Sequence, residues 1–359
     1  MKIAIFHNFL DNIGGAEILS LTLARELKAD VYTTNFDKEK IAKMGFHNLN
    51  IFSIGQIPIN PPLRQQLALW RFSRLNLKKH YDFYIISGDW AISAAKHNKP
   101  NLWYVHSPIR EIWDLYQYTR NHSVPKYLRI LFDIWVIYNR YLTKTYVSKV
   151  DKIACNSLNT QARIKKYLNR EAVIINPPIE TDKFHYQKNG DFWLSVNRLI
   201  NHKRVELQLK AFAKLPMEKL VIVGSYEKSK HFKKYANYIK KFKPQNVEIL
   251  SWLDQEKLID LYANCRGFIT TAKDEDFGMT VIEAMASGKP VIAPSEGGYK
   301  ETVIDKLTGC LIDDINEEKI ISAVKEINQD PQKYKEACLK HAQKFDTEIF
   351  INKIKNILE

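Results

Sequence analysis

The chain has 359 residues, more than one ordinary hydrophobic core organises, so its length points to two domains of α/β size. With 45% hydrophobic and 26% charged residues it falls in the globular range, which excludes a disordered chain. The net charge of +14 sits mainly in front: residues 1–180 hold 25 Lys and Arg against 14 Asp and Glu, residues 181–359 hold 29 against 26. Such a first half suits an anionic partner, be it nucleic acid, anionic lipid or a phosphorylated small substrate.

Four cysteines, Cys155, Cys265, Cys310 and Cys338, lack CxxC spacing and read as buried reduced thiols of a cytoplasmic protein. No run approaches the ~18 consecutive apolar residues of a membrane span, so membrane contact is expected to be peripheral. The opening MKIAIFHNFL lacks a small-residue cleavage site and reads as a first strand.

From there short apolar runs alternate with helix-period segments: KIAIFH, the helix after Gly14-Gly15, DVYTT, YDFYIIS, NLWYVH, DKIACNS and AVIINPP. This is the βαβ pattern of a parallel sheet. A second series follows through DFWLSVNRL, KLVIVGS, NVEILSW, CRGFITT and KPVIAPS. The seam belongs at NPPIETDKF, residues 176–184, where Pro-Pro ends a strand. The expected domains are 1–180 and 181–344, with the amphipathic segment 345–359 as a terminal helix. Residues 61–80 and 111–146 read as unusual helices that mix Trp, Tyr and Leu with Arg and Lys.

Gly14 and Gly15 follow a strand and open a helix, where amides at a positive helix end can face a ligand; a tight turn alone would use the same pair. His106, with Arg110 nearby in YVHSPIR, falls after a strand at the carboxyl edge where open α/β sheets place ligands. A neutral imidazole there can meet a sugar hydroxyl, or simply bond the backbone. Arg198 and Lys203 in NRLINHK suit a diphosphate, or are solvated surface cations.

In KDEDFGMTVIEAMASGKP a strand and loop lead into a helix stopped by Gly288. Thr280 and Glu283 form T-x-x-E, a capping box worth about 1 kcal/mol. Glu275 and Glu283, eight residues apart, differ by about 80° beyond two helical turns, so one precedes the helix and one lies on it. They can then grip two ends of one ligand.

The run EDFGMTVIEAMASGKPVIA with EGGYKETV and TGCLI, joined by Arg198, Lys203, Gly224 in VIVGS, Gly14-Gly15 and His106, resembles the retaining glycosyltransferases of family 4 over nearly the whole length. That resemblance implies a GT-B fold: two Rossmann-like, doubly wound domains facing a cleft, the C-terminal helix crossing back to the first. It implies that Glu275 binds hydroxyls of the donor sugar, with the amides of Phe277, Gly278 and Met279 close by. Glu283 would then hold the ribose, Arg198 and Lys203 the diphosphate, and His106 would lie beside the transferred sugar. The chain departs from the family at Asp276, at VIVGS and at NHKR, where glycines are more usual.

HSPIREIWD is close to a variant of mannosyltransferases in bacterial surface-polysaccharide assembly, lipopolysaccharide among them, and favours GDP-mannose. The expected enzyme is a hexosyltransferase with a nucleotide-sugar co-substrate, no metal, a glycan or lipid-linked acceptor, and a peripheral place on the anionic inner face of the cell membrane. A UDP-sugar transferase or an epimerase would fit the same fold. A nucleic-acid-binding module would explain the charge and the aromatics but neither Glu275 nor Glu283.

Overall fold

The computed structural model describes residues 1–12, 14–225, 230–251 and 253–359, with the backbone alone at 225 and 230–233. The chain divides into two compact units, 1–176 together with 350–359, and 177–349. The division falls between Asn176 and Pro177, within the expected seam 176–184.

In the first unit the strands Ile3–Phe6 (β1), Asp30–Thr33 (β2), Ile51–Ser53 (β3), Phe83–Ile86 (β4), Asn101–Val105 (β5), Lys152–Cys155 (β6) and Val173–Ile174 (β7) form one sheet. Its order is β3-β2-β1-β4-β5-β6-β7, every pair parallel. Strands buried on both faces read as unbroken apolar runs, as IAIF and FYII do here. The order reverses between β1 and β4, and that switch point opens a crevice at the carboxyl ends of the strands.

The second unit repeats the plan with Phe192–Arg198 (β8), Lys219–Ser225 (β9), Val247–Leu250 (β10), Gly267–Ile269 (β11), Val291–Pro294 (β12) and Gly309–Ile312 (β13). Its order is β10-β9-β8-β11-β12-β13, again all parallel, with the switch between β8 and β11. Trp193, Phe212, Tyr262 and Phe268 fill its core.

The terminal helix Thr347–Leu358 buries Phe350, Ile351, Ile354 and Leu358 among Ile3, Ile5 and Leu23 of the first unit. That i, i+1, i+4, i+8 spacing is one helical face, and residues 350–359 belong to the first unit, as the resemblance implies. All four cysteines are buried free thiols.

The helix Arg129–Val147 buries Val136, Asn139, Thr143 and Val147. On its other side Ile130, Leu131, Ile134, Ile137, Tyr138 and Tyr141 are each more than 50% exposed. Among the described residues no helix is long and apolar enough to cross a membrane.

Candidate active site

At the second unit's switch point, β8 ends at Arg198, which is exposed, and the chain enters the short 3₁₀ turn Asn201–Lys203. The Lys203 Nζ donates to Glu275 Oε2 at 2.5 Å, with side chains 15% and 20% exposed. The two expected ligand groups are thus brought together. The segment that follows β11 fixes their relative position. Thr271 donates to the carbonyls of Lys203 (2.8 Å) and Arg204 (3.0 Å), and the Lys273 amide donates to the His202 carbonyl at 2.7 Å. Gly224, the penultimate residue of β9, backs onto buried Leu199, where a Cβ would come within 2.9 Å.

The Glu275 loop rests on main chain. The Gly298 amide donates to the Glu275 carbonyl at 2.8 Å, and a Cβ on Gly297 or Gly298 would lie 2.4 Å from that oxygen or 2.5 Å from the Phe277 Cα. Phe277 itself is buried against Phe345, so only its backbone can serve a ligand.

The helix Met279–Ala286 starts differently from the capping box expected of Thr280 and Glu283. Its N-cap is Gly278 at φ +93°, without a side-chain cap; Thr280 lies inside the first turn. A left-handed cap suits glycine, and here a Cβ would also come within 2.6 Å of the Tyr299 ring. With no side-chain cap, the first-turn amides keep their capacity for an anion.

Glu283 sits on that helix, as the eight-residue spacing requires, and accepts from the Tyr262 hydroxyl at 2.7 Å. Burial raises its carboxyl above the ordinary value, partly offset by that bond. Burial likewise drives the Tyr299 phenol far up, with the Glu275 charge adding to it.

At the first unit's switch point Gly14 caps the helix Gly15–Leu27, and its amide is already bonded to Glu17 Oε2 at 2.8 Å. Glu17 Oε1 faces His7 Nε2 at 3.4 Å. Ser20 Oγ lies 3.0 Å from His7 Nδ1 and 2.8 Å from Ser87 Oγ, which lies 2.9 Å from His106 Nε2. Burial, then the nearby His7, push the His106 imidazole down to about 3, against a smaller upward pull from Glu17 and the Ser87 backbone. Burial would raise Glu17, but the bond to and charge of His7, with backbone amides, bring it below its ordinary value. Arg110 is engaged by Asp114, at 2.9 Å through Nε and 2.8 Å through its terminal nitrogen.

Sequence reasoning overlooked Arg204 and Glu296. Arg204, at φ +48°, donates to the Thr271 carbonyl at 2.7 Å and to Glu296 Oε1 at 3.0 Å, and Glu296 Oε2 accepts the Asp274 amide at 3.2 Å. It also overlooked His7, Glu17, Ser20 and Ser87. The i, i+3 spacing of Glu17 and Ser20, and the places of His7 and Ser87 directly after β1 and β4, were the signals available.

Two family models match, "Glycosyltransferase Family 4" over residues 13–183 and "Glycosyl transferases group 1" over residues 178–345. The alpha-1,3/1,6-mannosyltransferase ALG2 of Dictyostelium discoideum is 27% identical over 87% of this chain and 86% of its own. An uncharacterized glycosyltransferase of Methanocaldococcus jannaschii is 27% identical over 52% of this chain; that match spans 54% of the relative's length. Among solved structures, Anabaena HepE in complex with UDP and glucose covers 100% of this chain and 99% of its own at TM-score 0.78 and 18% identity. A sucrose-phosphate synthase from Thermosynechococcus elongatus covers 99% and 98% at TM-score 0.78 and 18% identity. With two parallel-sheet units in the GT-B fold and both family models in register with them, the chain belongs to glycosyltransferase family 4 and is a glycosyltransferase.

Proposed function

We propose that the chain transfers a hexose with retention of configuration, namely mannose from GDP-mannose, to a glycan or lipid-linked acceptor in surface-polysaccharide assembly. The observation that carries this reading is the Lys203–Glu275 pair at 2.5 Å, beside a helix start without a side-chain cap. The relatives named alpha-1,3/1,6-mannosyltransferase support the choice of sugar.

In this reading the bond between the sugar's anomeric carbon and the diphosphate oxygen breaks and an oxocarbenium-like centre forms. The acceptor oxygen bonds to the same face, and its proton passes to the leaving phosphate. Lys203 and Arg198 stabilise the charge gathering on the diphosphate, as do the amides of Gly278, Met279 and Thr280. Glu275 orients the sugar hydroxyls, Glu283 holds the ribose, and Gly224 offers its backbone to the nucleotide, its missing Cβ leaving room for Leu199. To the first unit the reading assigns the acceptor, with the Gly14-Gly15 turn, Arg110 and His106 serving it. No step runs through a metal, so turnover is expected to be unchanged in excess chelator.

A panel of GDP- and UDP-sugars, scored for transfer and for hydrolysis, tests the donor. GDP-mannose is expected to turn over fastest. A UDP-hexose is the second reading, favoured by the UDP and UDP-glucose complexes of HepE, and turnover with UDP-sugars alone would replace the first.

Support for a membrane setting of the acceptor comes from the helix Arg129–Val147, whose six exposed apolar side chains are accompanied by exposed Lys126, Lys144 and Lys149. Between 123 and 149 the sole acidic residue is Asp133, which is paired with Arg120. An apolar stripe with cations beside it suits the surface of an anionic membrane, where a lipid-linked acceptor would lie.

A further inference from the structure

A line of hydrogen-bonding groups leads from His106 into the first unit, and its far end dictates which way the protons point. Glu17 Oε2 accepts the Gly14 amide at 2.8 Å, and Oε1 faces His7 Nε2 at 3.4 Å. A carboxylate only accepts, so His7 Nε2 carries a proton. Ser20 owns one hydroxyl proton, and two acceptors draw it: His7 Nδ1 at 3.0 Å and the Ala16 carbonyl at 2.8 Å. Given to either, it is withheld from Ser87.

Ser87 therefore donates to Ser20 Oγ at 2.8 Å and turns its lone pairs to His106 Nε2 at 2.9 Å. The ring proton of His106 then resides on Nε2. Ser20 and Ser87 are both fully buried, so water does not compete for these bonds.

We propose that Ser20 and Ser87 are positioning residues that relay the Glu17–His7 pair to His106 and hold it as the neutral Nε2–H tautomer. Nδ1 is then a hydrogen-bond acceptor that selects a ligand hydroxyl and rejects a group that cannot donate. That the hydroxyl belongs to the sugar or the acceptor rests on the proposed function; the tautomer does not.

The test is histidine-selective ¹⁵N NMR of the full chain, with the His106 signals assigned by their loss in His106→Gln. The wild-type protein should show a protonated Nε2 and an unprotonated Nδ1. In Ser20→Ala, Ser87 loses its acceptor and is free to donate to His106, so the proton should move to Nδ1. A wild-type His106 protonated at Nδ1 overturns the proposal, as does an unchanged tautomer in a Ser20→Ala protein that melts like wild type. Should Ser20→Ala not fold, Ser87→Ala should convert the single tautomer into a mixture, and persistence of the pure Nε2–H form would overturn the relay. Turnover is measured separately: wild-type rates in His106→Gln would remove His106 from glycosyl transfer while the spectra still decide the relay.

Discussion

Lys203 and Glu275 come from opposite sides of the second unit's switch point, 72 residues apart in sequence, and meet at 2.5 Å. Each neutralises the other's charge, and each is held by its own backbone anchors. Glu275→Ala should lower turnover roughly 100-fold or more, the scale of losing one aimed electrostatic contact. Nucleotide affinity measured by calorimetry should change little. Equal losses in both would place Glu275 on the nucleotide rather than on the transferred sugar.

Glu283 predicts a pH effect on nucleotide affinity. Its folded carboxyl is raised above the ordinary 4.5, so on acidification it takes up a proton earlier than a free glutamate and ceases to be a full acceptor for ribose hydroxyls. Affinity should therefore fall as pH is lowered toward that range, and Glu283→Gln should give a weaker, flatter profile. A wild-type profile as flat as the variant's would separate Glu283 from the nucleotide.

His106 makes a stability prediction. Unfolded, it binds a proton near pH ~6.5; folded, not until about 3. Between these values the unfolded chain holds the extra proton, so this contribution to stability is present at neutral pH and is lost as pH falls through the window. Thermal melts should show the loss, and His106→Gln should remove that part of the slope.

Gly278→Ala forces a side chain into a left-handed cap and against Tyr299. A cost of about 1–3 kcal/mol is expected, read as a lower melting temperature, together with weaker diphosphate binding as the first-turn amides shift.

The exposed stripe is tested by Ile134→Asp with Ile137→Asp. Binding to anionic vesicles at low salt should fall at least several-fold while melting is unchanged, since both side chains are already exposed. Full retention of vesicle binding would rule out this helix as the contact.

Much of this was legible in the chain because parallel strands advertise themselves as apolar runs, and because Lys203 and Glu275 each follow the end of a strand. The helix cap was misread for a physical reason. Thr280-x-x-Glu283 fits a capping box in spacing, yet the close packing of Tyr299 and the turn at Gly278 begin the helix one residue before Thr280. Arg204–Glu296 and Ser20–Ser87 are 92 and 67 residues apart, and no local pattern encodes such pairs. They became visible only once the sheet order brought their strands together.

Gly297 and Gly298 press bare backbone against the backbone of Asp274, Glu275 and Phe277. The form of the loop is thereby decoupled from the side chains it displays. If Glu275 serves the sugar as proposed, Glu275 and Asp276 are the positions where a different side chain would meet a different sugar on an unaltered surface, whereas Asp274, at φ +49°, is restricted to residues that tolerate left-handed backbone. Replacing either glycine would bend that surface itself, and every ligand would feel it.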